Sequence, residues 1–190
     1  IKGEVFDKKF KIKISNDLKN INFQLINSGI TAEINFDNED QANLVRGVFK
    51  SKILNTNFKS NFSYDNKVIN IFNSYFRSKN LSFNNKSSVI LKPFFYSNSK
   101  FDIQEFNFKI IKNVDLKKIL ETKSFIKKIN SKNEINFKSK KFSRNLVNVL
   151  NLKIDTAYGR MNYVKKFSIS DNYFECQGNV NLLDEYPLLF

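Results

Sequence analysis

Between Thr56 and Tyr64 the chain alternates without a break, with Phe58, Phe62 and Tyr64 on one parity and Asn57, Lys59, Asn61 and Ser63 on the other. Successive side chains of a β-strand point to opposite faces, so this period of two predicts one apolar and one wetted face. Asp65-Asn66-Lys67 has turn chemistry, because Asp and Asn bond their own main chain and tolerate left-handed backbone. Short apolar runs follow at Val68–Phe72, Leu81–Phe83, Val89–Leu91 and Phe101–Ile103, each read here as a separate strand. Strands at such intervals, joined by polar turns, predict an antiparallel meander from residue 43 to residue 108. The rest of the chain reads as an extension of that sheet.

Residues 1–42 supply leading strands. Phe10, Ile12 and Ile14 alternate with Lys11 and Lys13; Ile21, Phe23 and Leu25 alternate with Asn22 and Gln24. Asn27-Ser28-Gly29 predicts a hairpin turn, and Ala32, Ile34 and Phe36 share the face of a third strand. Leu44–Ile53 is less regular, which predicts either two covered faces or a bulge that switches the parity. Leu116, Ile119, Leu120, Ile126 and Ile129 follow a helical spacing, so one amphipathic helix is predicted at about 114–129, lying on the sheet or capping it. Strands then return at 134–139 and 146–154, around Tyr163 and at 167–169, and the last hairpin is predicted to turn near Gly178. No stretch rich in Gly, Pro or Ser divides the chain, so 1–190 reads as one segment. Its first residue is Ile1 and its last run is Pro187-Leu188-Leu189-Phe190, which suggests a piece of a longer protein.

The net charge of +14 directs attention to anionic partners. Nearly all of it is Lys, since the only arginines are Arg46, Arg77, Arg144 and Arg160. Lys, Asn, Ile and Phe are heavily used while Gly, Pro, Trp and His are scarce or absent, the pattern of A/T-rich codons. The lysines are also spread along the chain, so a specific nucleic-acid partner is not expected. Without His and with Cys176 alone, a His/Cys metal centre, a His-based triad and an internal disulfide are excluded. No apolar run of about 18 residues is long enough to span a bilayer as a helix.

No phosphate loop, dinucleotide fingerprint or nucleophile elbow is present, and no cofactor or enzymatic activity is expected. Asp37, Glu39 and Asp40 cluster in a polar loop without calcium-loop spacing, and Asp184-Glu185 reads as a turn. What stands out is the aromatic content, 21 Phe and 7 Tyr. A turn at 65–67 places Phe58 and Phe62 on the same face as Ile69 and Ile71. Leu81, Phe83, Val89, Leu91, Phe101 and Ile103 continue that face across the following strands. Such a face fills a closed core or lines an apolar groove, and periodicity does not separate the two.

The order of features resembles a family. Gly47–Phe58, Phe62–Ile71 and Tyr75–Phe83, then the Leu116-Lys117-Lys118-Ile119-Leu120 segment and a Gly-centred ending at Gly178–Leu182, are similar to the C-terminal region of AsmA-like proteins, over residues 43–190. The resemblance implies a long, curved, groove-like β-sheet with an apolar inner face. It further implies a periplasmic protein held in the inner membrane of a Gram-negative bacterium by an anchor outside this segment. It implies a non-enzymatic role in phospholipid transfer or outer-membrane homeostasis, with acyl chains as partner and the ten residues Phe58 to Ile103 named above as groove lining. The alternative is a structural or interaction β-domain of the envelope with a closed core.

Overall fold

A mainly β architecture, as anticipated from the alternation, is present in a computed structural model, which describes residues 1–5, 8–37, 44–107, 128–139, 147–170, 172–181 and 188–189. One sheet contains fourteen strands in strict sequence order. The leading strands are β1 (Lys2–Val5), β2 (Lys8–Ile14), β3 (Asn20–Leu25) and β4 (Ile30–Phe36). The central group is β5 (Val45–Ile53), β6 (Thr56–Tyr64), β7 (Val68–Arg77), β8 (Leu81–Ile90) and β9 (Tyr96–Phe106). The sheet ends with β10 (Asn130–Lys138), β11 (Val149–Ala157), β12 (Arg160–Ile169), β13 (Asn172–Asn181) and the two-residue β14 (Leu188–Leu189). β1 and β14 are the two edges and do not pair, so the sheet is open.

Local chemistry explains the turns. Asp65 accepts the backbone N–H groups of Lys67 and Val68 through Oδ1, at 3.1 and 2.7 Å, and Asn66 takes a φ of 70°, closing the β6–β7 hairpin as anticipated. Gly29, at φ 69°, serves the β3–β4 turn. Tyr158 and Gly159, both at positive φ, form the two-residue connection of β11 to β12, where mirror-image turns match the strand twist.

Several expectations are corrected. Leu81–Phe83 and Val89–Leu91 are not two strands; Leu81–Phe83 and Val89-Ile90 are the ends of the single ten-residue β8, and Leu91 lies just beyond it. The polar run between them, Asn84-Asn85-Lys86-Ser87-Ser88, reads as a turn but stays extended because β7 and β9 pair with it on both sides. Gly178 is not a turn: it lies inside β13 opposite Tyr163, and the chain reverses before Asn172, where Ser170 has a φ of 43°. The bulge, one of the two readings of β5, is absent, since β5 pairs continuously with both neighbours. A register shift occurs instead in β7, where Phe72 and Asn73 oppose the single residue Lys86 and Asn73 takes a φ of 48°. A second shift falls at Gln104 in β9. The meander is broken once, because β9 and β10 are parallel, which needs a long crossover. The helix anticipated at 114–129 falls in the stretch between these strands and lies outside the described residues except for Lys128, in a turn, and Ile129. No helix is found among the described residues.

Among the described residues the sheet has no second layer, and the burial shows it. Phe137, 4% exposed, is the one buried large apolar side chain among the described residues. The remaining apolar residues of the strands are mostly half-buried, shielded by their own cross-strand neighbours. Such a sheet depends on side chains broad enough to cover the adjacent strand. Phe10 and Phe62 do this over glycines: a Cβ at Gly3 would come within 2.6 Å of the Phe10 ring, and one at Gly47 within 2.9 Å of the Phe62 ring. At Gly47 a Cβ would also run into the carbonyl oxygen of Asn35. Because backbone as well as ring must give way, Gly47→Val should lower stability by about 1–3 kcal/mol. Gly3→Ala, which meets only the ring, should cost less. Thermal unfolding of the two variants against the parent measures the order, and equal melting temperatures for Gly47→Val and parent would contradict this packing.

Candidate functional site

Register alone gathers the apolar residues. From β2 to β13 directly opposed positions form one row: Ile12, Phe23, Ala32, Ser51, Phe58, Phe76, Phe83, Ile103, Phe137, Leu150, Phe167 and Phe174. Eleven steps of about 4.8 Å make this a strip of roughly 50 Å that runs across the strands from β2 to β13. The rings along it touch. Phe76 stacks on Phe83 at 5.0 Å between centroids, Phe83 meets Phe101 edge-on at 5.5 Å, and Phe167 stacks on Phe174 at 5.2 Å. Phe49 and Phe58 meet at 5.8 Å, Phe36 and Phe62 at 6.1 Å. Offset and edge-on rings at these separations contribute about 0.5–1.5 kcal/mol per pair beyond the area they bury.

Of the ten sequence-derived candidates, Phe58, Phe62, Ile69, Ile71, Leu81, Phe83, Val89, Phe101 and Ile103 share this face. Phe62 opposes Ile71, Ile69 opposes Val89, Phe83 opposes Ile103, and Leu81 opposes Phe106. Leu91 does not join them: it follows the last residue of β8 and is exposed at the sheet margin. The β7 bulge brings Ser74 and Phe76 onto the same face as Ile69 and Ile71, although the two pairs differ in parity. Sequence parity therefore missed Phe76, and only the positive φ of Asn73 reveals it.

The apolar face also has a polar floor that the sequence did not announce. Ser60, Ser74, Asn85 and Ser131 lie on it, each under 9% exposed. Ser74, Asn85 and Ser131 are hydrogen-bonded. Ser74 Oγ donates to the Asn85 carbonyl at 2.7 Å, Asn85 Nδ2 to the Lys100 carbonyl at 3.2 Å, and Ser87 Oγ to Ser99 Oγ at 2.9 Å. Ser131 and Thr156 share a hydrogen bond of 2.7 Å. Small side chains here leave the flanking rings standing higher than the floor, and among the described residues no buried polar side-chain atom lacks a partner. Lys165 is an ionised residue on this face; its ammonium sits 5.0 Å above the Phe167 ring, a cation–π arrangement that keeps the charge at the surface.

The reverse face is polar. Asn20, Asn35 and Glu33 form one cluster, in which Asn20 donates to Asn35 and Asn35 donates to Glu33 at 2.7 Å. Asn151, Asn136 and Glu134 repeat it on β10 and β11, with Asn151 donating to Asn136 at 2.6 Å and Asn136 to Glu134 at 3.0 Å. Cys176 is an exposed free thiol. Among the described residues no group of His, Cys, Asp and Glu is placed to hold a metal ion. No helix among them is long and apolar enough to cross a membrane. Nothing in this arrangement brings a nucleophile, base and oxyanion donor together. No family model, curated protein or solved structure matches the chain.

The two carboxylates carry a pH dependence. The Asn35 amide, followed by Lys50, holds Glu33 below its ordinary value of 4.5, and the Asn136 amide, followed by Lys100 and Lys153, does the same for Glu134. A folded-state value lower than the unfolded one stabilises above about pH 4.5, and this contribution is lost as pH falls through the depressed folded value. NMR titration should place both carboxylates below 4.5, and Asn35→Ala should return Glu33 toward 4.5 without moving Glu134. A Glu33 midpoint at or above 4.5 in the parent would contradict the assignment.

Proposed function

We propose that this chain is a non-enzymatic segment of a cell-envelope protein of the AsmA-like kind, and that its apolar sheet face carries phospholipid acyl chains. The observation that supports the reading most directly is the uninterrupted row from Ile12 to Phe174 on one face of a single open sheet. An ordinary β-domain would cover such a face with a second sheet about 10 Å away, and the described residues contain none. An acyl chain fits the face chemically, since burial against it is non-directional and worth about 0.8 kcal/mol per methylene. The lining then needs rings and branched side chains at alternate positions but no precisely aimed polar group. The resemblance to AsmA-like proteins adds the periplasm of a Gram-negative bacterium as the setting, with attachment to the inner membrane supplied outside this segment.

In this reading Phe58, Phe62, Ile69, Ile71, Leu81, Phe83, Val89, Phe101 and Ile103 form the acyl-binding face, joined by Phe76 and the equivalent positions of β10 to β13. Native mass spectrometry of the purified chain should find co-purifying phospholipid. Phe83→Asp places a charge at the centre of the row, where an acyl chain cannot solvate it. The variant should keep its strand signature in circular dichroism and lose the bound phospholipid. Unfolding of Phe83→Asp would assign the face to a closed core, and a folded variant that retains its lipid would exclude this face as the site.

A further inference from the structure

The positive charge is not distributed evenly over the polar face. From β9 to β13 several cations stand opposite acids, although Lys100 also stands opposite Lys86 on β8. Lys100 and Glu134 are 3.7 Å apart, Lys166 and Glu175 are 3.2 Å apart, and in register Lys153 opposes Glu134 and Lys132 opposes Asp155. From β2 to β7 Glu33 stands opposite Lys50, but the cations around it outnumber it. Lys50 is directly opposite Lys59, a like-charge placement that disfavours the strand pair. Lys11, Lys13, Lys52 and Arg77 surround them, and these six cations line one concavity of about 670 Å³ with Glu33 as its single carboxylate. Glu33 reaches only Lys50, at 4.0 Å, and is itself engaged by Asn35. The Arg77 guanidinium is fixed in place, donating to the carbonyls of Phe76 and Phe83 and lying 5.2 Å from the Tyr75 ring.

We propose that this concavity is a binding site for a compact polyanion, a small molecule carrying several phosphate groups on one scaffold. Lysine ammoniums are mobile point charges with three donors each, suited to phosphate oxygens from several directions. Lys50 and Lys52 are two residues apart on one strand, about 7 Å, and Lys59 is about 5 Å away across the ladder. Phosphates separated by similar distances on a small ring or short chain match that grid. A planar bilayer would touch only the rim of a concave surface, which favours the compact ligand. The site lies on the face opposite the apolar row, so it stands or falls independently of the lipid reading.

Inositol hexakisphosphate is a suitable probe, titrated against the whole chain by calorimetry at about 50 and 200 mM salt, with affinity weakening at the higher salt as screening grows. The Lys50→Gln/Lys59→Gln variant should bind at least 10-fold more weakly than the parent. Lys132→Gln/Lys153→Gln removes the same charge outside the concavity and should stay within about 2-fold. The probe should raise the melting temperature of the parent and of this control, and not that of Lys50→Gln/Lys59→Gln. Equal weakening by both variants would reduce the effect to net charge and overturn the site. So would absence of probe binding, including the case in which phosphatidylglycerol vesicles or duplex DNA bind in its place through Lys50 and Lys59.

Discussion

The structure depends on register. In a sheet a single layer thick, each strand presents alternate residues to opposite faces, and a slip of one residue would exchange the faces of that strand for its whole length. Twelve successive strands keep the same choice, so Ile12 on β2 and Phe174 on β13 stand in one line. The bulge at Phe72-Asn73 is part of that choice. Without it Ile69 and Ile71 would lie on the same face as Tyr75 and Arg77, and the apolar surface would break at its centre. Asn tolerates the left-handed backbone this requires better than most residues, so an inconspicuous Asn73 maintains the continuity of the face.

The aromatic content follows from the same constraint. A sandwich buries an apolar side chain against an opposing sheet, whereas here shielding comes only from neighbours in the plane of the layer. A Phe ring covers an adjacent strand in a way that Val or Ala does not, as Phe62 does in crossing Gly47 to meet Phe36. Asn and Ser play the corresponding part for polar positions, linking strands through side-chain bonds such as Asn151 to Asn136 and Ser87 to Ser99. A composition weighted to Phe, Asn, Ser and Lys is therefore sufficient for an open sheet, although it would be a poor one for a globular core.

Alternation made the strands legible, and with them the shared face of Phe58, Phe62, Ile69 and Ile71. It failed where the signal is carried by pairing rather than by the strand itself. The polar centre of β8 looks like a turn because Asn85 and Ser87 are poor strand formers, and only β7 and β9 on either side hold it extended. Gly178 looks like a turn for a similar reason and is held extended opposite Tyr163. The parallel pairing of β9 with β10 leaves no mark on either strand, since alternation is the same in both orientations. Leu91 satisfied the parity but lay one residue past the end of its ladder.

Codon bias and placement are separate questions, and the polar face distinguishes them. A bias toward A/T-rich codons accounts for many lysines anywhere in the chain, but it does not choose their partners. On β10 and β11 the register sets Lys153 against Glu134 and Lys132 against Asp155, so each charge is offset where it stands. On β4 to β6 the ladder sets Lys50 between Glu33 and Lys59, as it sets Lys100 between Glu134 and Lys86, so it is the number of cations gathered around Glu33 that differs. Exposed pairs of either sign are individually weak. Six cations around one concavity with one carboxylate act together, and the local potential rises with each cation that lacks a counter-charge. The sheet thus presents two surfaces with opposite requirements: a face without charge requirements on which apolar chains are held by area, and a concave reverse on which anions are held by field. Because the two lie on opposite sides of one backbone layer, a residue can be changed on either without a side-chain contact to the other.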